Sequence, residues 1–315
     1  MRNLDTPTNE VADRIVAAVK DGLKDIVGEQ EPFHDPNTTP ACLEGVLWFL
    51  WGTYRRTAAW EEPRLQERIV DVLRELKTHG KAGFEGMKIW GHDMNWNNLP
   101  VFGLDARESL DVLVGYLPGS DRVAPLDLRE PVPPVGLRIL SGAIPEDPDP
   151  SNQLYVSARA VWLETRRYLM RVWVAGVYDF EIYGIWFMRE GLEDLDLADL
   201  EWKTHTASAP PVLALEGASV CVQTAGEKMY RSNLVEGPNG NPNWNSNFGT
   251  AGRGGKRWTG VDGYHPDRWR LWKSVFQEYA DAHGMKGIWP NAVEAAKTAI
   301  AVMEKIESTD AGLGD

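Results

Sequence analysis

The chain has 315 residues, of which 43% are hydrophobic and 25% charged, with a formal net charge of −13. That balance belongs to a folded protein, and the length fits one large domain or two small ones with a substantial core. The acid excess repels phosphate backbones and anionic bilayers, which sets aside nucleic-acid binding and membrane binding as general roles.

Helix signals dominate from the start. Val11, Ile15, Val19, Leu23 and Ile26 repeat at helical spacing, with Gly28 as a stop. This opening carries Asp5, Glu10 and Asp13 and no apolar run, so it does not read as a signal peptide. Thr39-Pro40 reads as a cap and first helical proline, ahead of a stripe of Leu43, Leu47, Leu50 and Tyr54 flanked by Trp48 and Trp51. Pro63 opens a helix whose Leu65, Ile69, Val72, Leu73 and Leu76 face one way, and Gly80 ends it. Asp105 and Glu108 have the spacing of a capping box before Leu110, Leu113 and Leu117.

Residues 118–150 hold eight of the twenty prolines and read as a loop or linker, with Val135 to Leu140 as a possible short strand. Ser151 to Asp194 contains no proline and reads as one or two long helices hinged near Gly176 or Gly184. Its most apolar part, Val172 to Met188, is interrupted by Asp179 and Glu181, so no membrane insertion is expected. Val212 to Tyr230 is a further helix. Residues 236–263 are a loop by their glycine and asparagine content. Pro266 and Pro290 open the last two helices, the first with a Trp269, Trp272, Phe276 and Tyr279 stripe, the second with Val293, Ala296, Ile300 and Met303. The pattern predicts an all-α protein, an irregular bundle of about eight or nine helices in one domain with long Pro-rich and Gly/Asn-rich loops. Two helical halves divided at 118–150 are the alternative. Cys42 and Cys221 read as small buried hydrophobes in a reducing compartment, and the expected location is the cytoplasm.

Familiar motifs fail on inspection. GTAGRGGKRW resembles a phosphate-binding loop, but Thr250 stands where its first glycine belongs and Arg257 where the magnesium-binding hydroxyl belongs. Arg253, Lys256 and Arg257 among glycines still suit contact with an anion. GASVC puts Cys221 in place of the glycine that follows a nucleophile elbow, so Ser219 reads as packing. The six histidines are scattered with no zinc spacing; His92 beside Asp93 reads as a structural hydrogen bond.

Five segments carry a resemblance. They are LWFLWGTYRRTAAWEEPRLQERIVDVLRELK (47–77), IWGHDMNWNNLPVFGLDARESLD (89–111), YGIWFMREGLED (183–194), ASVCVQTAGEKMYR (218–231) and HPDRWRLWKSVFQEYA (265–280). In this order the chain resembles, over about 46–307, a fungal family of uncharacterised, tryptophan-rich proteins. The tryptophan expected near the start of the fourth segment is absent, and the 118–150 and 236–263 loops are longer than the family pattern. The resemblance implies a helical fold and a fungal source, and no activity.

Two constellations carry chemistry. At about 100° per residue, Asp179, Tyr183, Trp186, Glu190 and Glu193 fall within roughly 80° of one face. Carboxylates interleaved with aromatics on one stripe either border solvent, neutralised by Arg189 and other cations, or wall a pocket in which Asp179, Glu190 and Glu193 hold Mg²⁺. On the helix after Pro266, Lys273 lies beside the Trp269 and Trp272 stripe. Its stem either packs on tryptophan with the ammonium in water or, with Arg270, points into a cavity to hold an anion. The fourteen tryptophans fill a large core or, through Trp186, Trp269 and Trp272, line an apolar cavity. Carboxylates, cations and aromatic walls are the parts of a Mg²⁺-assisted isoprenoid-diphosphate (terpene) cyclase of specialised metabolism, although no aspartate-rich metal motif is present. A non-catalytic helical protein that binds a hydrophobic small molecule or a protein partner is the alternative.

Overall fold

The helical stripes of the sequence become nine α-helices among the described residues of a computed structural model, which describes residues 5–23, 29–30, 43–60, 63–111, 153–198, 200, 211–285 and 287–311. The Thr39-Pro40 cap, the proline-rich segment and the strand expected at 135–140 lie outside the described residues. Two compact units divide the chain: 1–110 with 175–178, and 111–174 with 179–315.

In the first unit, α1 (Thr8–Gly22) buries Val11, Ala12, Val16 and Val19 and packs on α3 (Pro63–Leu76), which turns the expected Leu65, Ile69, Val72, Leu73 and Leu76 inward. α3 runs into a tighter turn, Lys77–His79, and Gly80 at φ +57 ends it, a conformation that suits a residue without Cβ. In α2 (Leu43–Trp60) the buried row is Leu43, Leu47, Trp51, Tyr54 and Ala58. Trp51 takes the place expected of Leu50 because its indole reaches a cluster that leucine cannot. It meets Phe102 at 5.2 Å and Trp96 at 6.2 Å edge-on, and its Nε1 donates to the Pro100 carbonyl at 2.6 Å.

The capping box is not formed. α4 (Phe102–Glu108) starts after Val101, and Asp105 sits one turn inside it, buried and holding Arg55 at 3.0 and 3.2 Å. Desolvated beside an arginine, this carboxylate satisfies its partner rather than the helix end. A three-stranded sheet also appears, order β1-β2-β3, from β1 (Glu29–Gln30), β2 (Lys88–Ile89) and β3 (His92–Asp93); β1 is parallel to β2, and β2 antiparallel to β3. Two-residue strands are too short to leave an alternating pattern in the sequence. Trp90 and Gly91 make the hairpin turn, both at positive φ.

The second unit is organised around α7 (Pro211–Arg231), buried without interruption from Val212 to Val222. A helix buried on all sides, with its polar Glu216 and Ser219 satisfied by Arg159 and the Ala295 carbonyl, belongs in the middle. Around it pack α5 (Gln153–Val174), α6 (Glu181–Met188) with the turn that follows it, and α9 (Pro290–Ala311), while α8 (Pro266–Asp281) packs on α9. Gly217, where a Cβ would meet the Trp162 ring at 2.8 Å, lets α5 approach closely. The break between α5 and α6 falls near Gly176, at φ +67, and Gly184 stays inside α6. The hydroxyl of Tyr264 fills the space beside Gly184 and donates to the Glu181 carbonyl at 2.8 Å. Among the described residues no helix is long and apolar enough to cross a membrane.

Candidate functional site

The site begins with an irregularity. After Met188 the chain widens into one turn of π-helix, Arg189–Glu193, in which the Asp194 amide donates to the Arg189 carbonyl five residues back at 2.9 Å. Such turns interrupt the 3.6-residue period and recur at functional sites. Gly191 permits this one, because the turn lies against α7: a Cβ there would run into the Ala214 carbonyl oxygen and stand 2.8 Å from the Ala218 Cβ.

Glu193, at the end of the π turn, is fully buried and pairs with Arg268 of α8, also fully buried. Arg268 donates through Nε to Glu193 Oε1 at 2.6 Å and through one terminal nitrogen to Glu193 Oε2 at 3.0 Å. Its remaining donors reach the carbonyls of Gly252 (2.8 Å), Gly263 (2.9 Å) and Arg253 (3.1 Å). All five guanidinium hydrogens are therefore used. Glu193 additionally accepts from Trp272 Nε1 at 2.7 Å and from the Gly255 amide at 2.7 Å. A buried ion pair is tolerable when its remaining lone pairs and protons are satisfied in this way.

Through this pair the Gly/Asn loop is tied to the helices. The Glu236 amide donates to the Asp262 carbonyl, the Gly252 amide to the Glu236 carbonyl and the Asp262 amide to the Asn239 carbonyl, and Val235 bridges Gly263. The Arg257 amide donates to the Glu193 carbonyl at 3.1 Å, and its guanidinium reaches the Leu195 carbonyl and Glu278. The backbone of residues 252–257 is thus pinned, which the glycine and asparagine composition of the loop does not reveal. The tip, by contrast, is built from its own asparagines: Asn241 and Asn245 cap the amides of Asn243 and Asn247, and Trp244 meets Phe248 edge-on at 6.3 Å.

Between α6 and this loop lies a cleft of about 610 Å³, inside the range of about 300–1,000 Å³ typical of ligand sites. Trp186 and Arg189 line it from the helix side, and Phe248, Ala251, Arg253 and Asp262 from the loop. Tyr183 stacks on Trp186 at 4.9 Å and 19°, and the indole Nε1 donates to the Ala251 carbonyl at 3.0 Å, which fixes the ring. Asp262 is buried and held by the Asn239 amide at 2.9 Å. Arg189 reaches the Arg253 carbonyl at 3.4 Å. Burial holds its guanidinium below the ordinary arginine value; Asp194 opposes that shift, and the like charge of Arg253 adds to it.

The two arginines stand apart from their neighbours. Arg159 holds Glu216, Arg166 holds Glu190, Arg257 holds Glu278 and Arg268 holds Glu193. Among the described residues, neither Arg189 nor Arg253 makes an ion pair.

The residues singled out from the sequence are distributed differently from a single pocket. Asp179 precedes α6, is exposed, and caps the Glu181 amide at 2.9 Å; it is outside the helical stripe into which a uniform period had placed it. The π turn then rotates Glu190 and Glu193 off that stripe, so Glu190 meets Arg166 at 3.3 Å and Glu193 meets Arg268. The three carboxylates do not converge, and among the described residues no group of three or more His, Cys, Asp or Glu is placed to hold a metal ion. Lys273 bonds Glu307 of α9 at 2.7 Å, and Trp269 Nε1 bonds the same carboxylate at 2.9 Å. Arg270 is exposed and pairs with Asp267. Trp272 is in the ion-pair network. Of the expected set, Trp186 alone lines the cleft. The glycine setting of Arg253 marks it as an anion contact and the acidic stripe marks Arg189 as its neutraliser, whereas Arg268 carries no signal beyond its place in an aromatic helix. Cys221 is fully buried, and burial pushes its thiol up to about 12, which makes it inert packing.

These features define a helical protein whose second unit carries an arginine-bearing cleft braced by a buried ion pair. A family model described as a protein of unknown function (DUF3632) matches residues 51–276, and the chain belongs to that family. The matched span includes Arg189, Glu193, Arg253 and Arg268. No curated protein and no solved structure matches the chain.

Proposed function

We propose that the protein binds a small organic anion with an apolar body in the cleft formed by the π turn and the Gly/Asn loop. One observation carries this reading: in a chain of net charge −13, two arginines line one cleft and, among the described residues, neither makes an ion pair. The charge of Arg253 disfavours that of Arg189, and an anion bound in the cleft relieves that repulsion. Trp186 and Phe248 supply the apolar walls.

Catalysis by a Mg²⁺-assisted isoprenoid-diphosphate cyclase is the rival reading. It needs converging carboxylates with free oxygens, and Glu193 already accepts four hydrogen bonds while Glu190 and Asp179 turn to other partners. Binding without metal chemistry is therefore the better-supported reading. An anilinonaphthalenesulfonate probe, an anion on an aromatic body, tests it. Saturable fluorescence and a raised melting temperature are expected in the native protein, with loss of both in Arg189→Gln/Arg253→Gln. Equal binding by that variant refutes the reading.

A further inference from the structure

The chemistry of the cleft narrows its ligand class, in an inference that rests on the anion-binding reading: we infer that the ligand is a flat aromatic monocarboxylic acid, its carboxylate on Arg189 and Arg253 and its ring system against Trp186 and Phe248.

Charge decides the head group. Arg189 and Arg253 contribute two positive charges, and Asp262, which lines the same cleft, contributes one negative, leaving one net positive charge. That matches a carboxylate. A diphosphate brings about three negative charges and calls for further cations or metal ligands. The chemistry agrees, since a planar guanidinium binds a planar carboxylate through paired hydrogen bonds.

The walls decide the body. Trp186 is locked by the Tyr183 stack and by its bond to Ala251, so the rest of its indole forms a rigid apolar surface in the cleft. Phe248 is 74% exposed, a large aromatic left in water on the opposite element. Gly240 at φ +104 and Gly249 at φ +70 bracket the segment that carries it. Its cap bonds are internal to the segment, so the Phe248 ring can settle onto a ligand without breaking the pinned part of the loop. Flat rings gain more from two aromatic walls than puckered ones of the same size, because stacking adds to area burial.

Calorimetric titration with 2-naphthoate, decahydro-2-naphthoate and 2-naphthyl phosphate tests the inference, in the native protein, in Phe248→Ala and in Arg189→Gln/Arg253→Gln. Phe248 is a surface residue, so its truncation leaves the unliganded melting temperature in place. We expect 2-naphthoate to bind most tightly, with affinity falling about three- to tenfold for the saturated analogue and by a similar factor in Phe248→Ala. Equal or tighter binding of decahydro-2-naphthoate overturns the aromatic body. Tighter binding of 2-naphthyl phosphate overturns the carboxylate head. In both cases, loss of binding in the double arginine variant keeps the anion-binding reading intact. No binding of any probe, or binding indifferent to both arginines, overturns that reading and the inference with it.

Discussion

Replacing Arg268 by methionine removes one half of a fully buried ion pair while keeping much of the side-chain length. Glu193 then keeps a buried charge with Trp272 and the Gly255 amide as its only remaining donors in the network, and the Gly252, Gly263 and Arg253 carbonyls each lose a bond. Breaking a buried pair from one side costs about 3–5 kcal/mol. For a chain of 315 residues, with an unfolding entropy of about 2.1 cal/mol/K per residue, that corresponds to a melting temperature lower by about 5–8 °C. Urea unfolding followed by tryptophan fluorescence measures the loss, and trypsin at Arg253, Lys256 and Arg257 reports the loop. The native loop is expected to resist cleavage and the Arg268→Met loop to be cut early. Glu193→Leu/Arg268→Met removes both charges, so its loss should fall well short of the sum of the two single losses. A single-variant loss below about 1 kcal/mol, or strict additivity in the double variant, refutes the claim that this pair braces the loop.

Two further effects follow from the packing. Gly191→Ala drives a methyl group into α7 at Ala214 and Ala218, so a loss of about 1–3 kcal/mol in urea unfolding is expected; an unchanged midpoint would mean that the π turn yields at no cost. In the first unit, the hydrogen bond from His79 to Asp13 at 2.9 Å raises the histidine above its ordinary 6.5. The protonated form is thus favoured by folding. Its contribution is complete below 6.5 and fades as pH rises through the raised folded value, so native protein should lose its advantage over Asp13→Asn as the pH climbs above 6.5. Proton NMR titration of His79 at or below the ordinary value would refute this.

Much of the helical architecture is legible because burial is periodic. The α3 stripe of Leu65, Ile69, Val72, Leu73 and Leu76 is read directly from spacing and recovered in the core. Spacing fails where the period itself changes. The stripe drawn from Asp179 to Glu193 assumes one helix, whereas Asp179 caps the start and the π turn inserts an extra residue before Glu193. In the sequence Gly191 is one glycine among many, and what sets it apart, its close approach to α7 at Ala214 and Ala218, is a contact distant along the chain. The loop at 236–263 is legible as a loop, but its anchoring is not. Glycine and asparagine composition describes what the backbone can adopt, and the bonds from Arg268, which lies beyond the loop in sequence, decide what it does adopt.

The same π turn also explains why the ion pair and the cleft occur together. Arg189 opens the turn and faces the cleft, while Glu193 closes it in the core. Arg268 answers Glu193 and, with the same guanidinium, holds the Arg253 carbonyl. The backbone position of the second cleft arginine is therefore set by the partner of the residue at the far end of the first arginine's own turn. Neutralising Arg189 or Arg253 with the loop held should alter only the cleft, since neither makes an ion pair among the described residues. Releasing Arg268 should instead scatter the loop-side wall, so that Arg268→Met loses ligand affinity even at temperatures where it remains folded. Full retention of anilinonaphthalenesulfonate binding by folded Arg268→Met would separate the cleft from the brace and overturn this coupling.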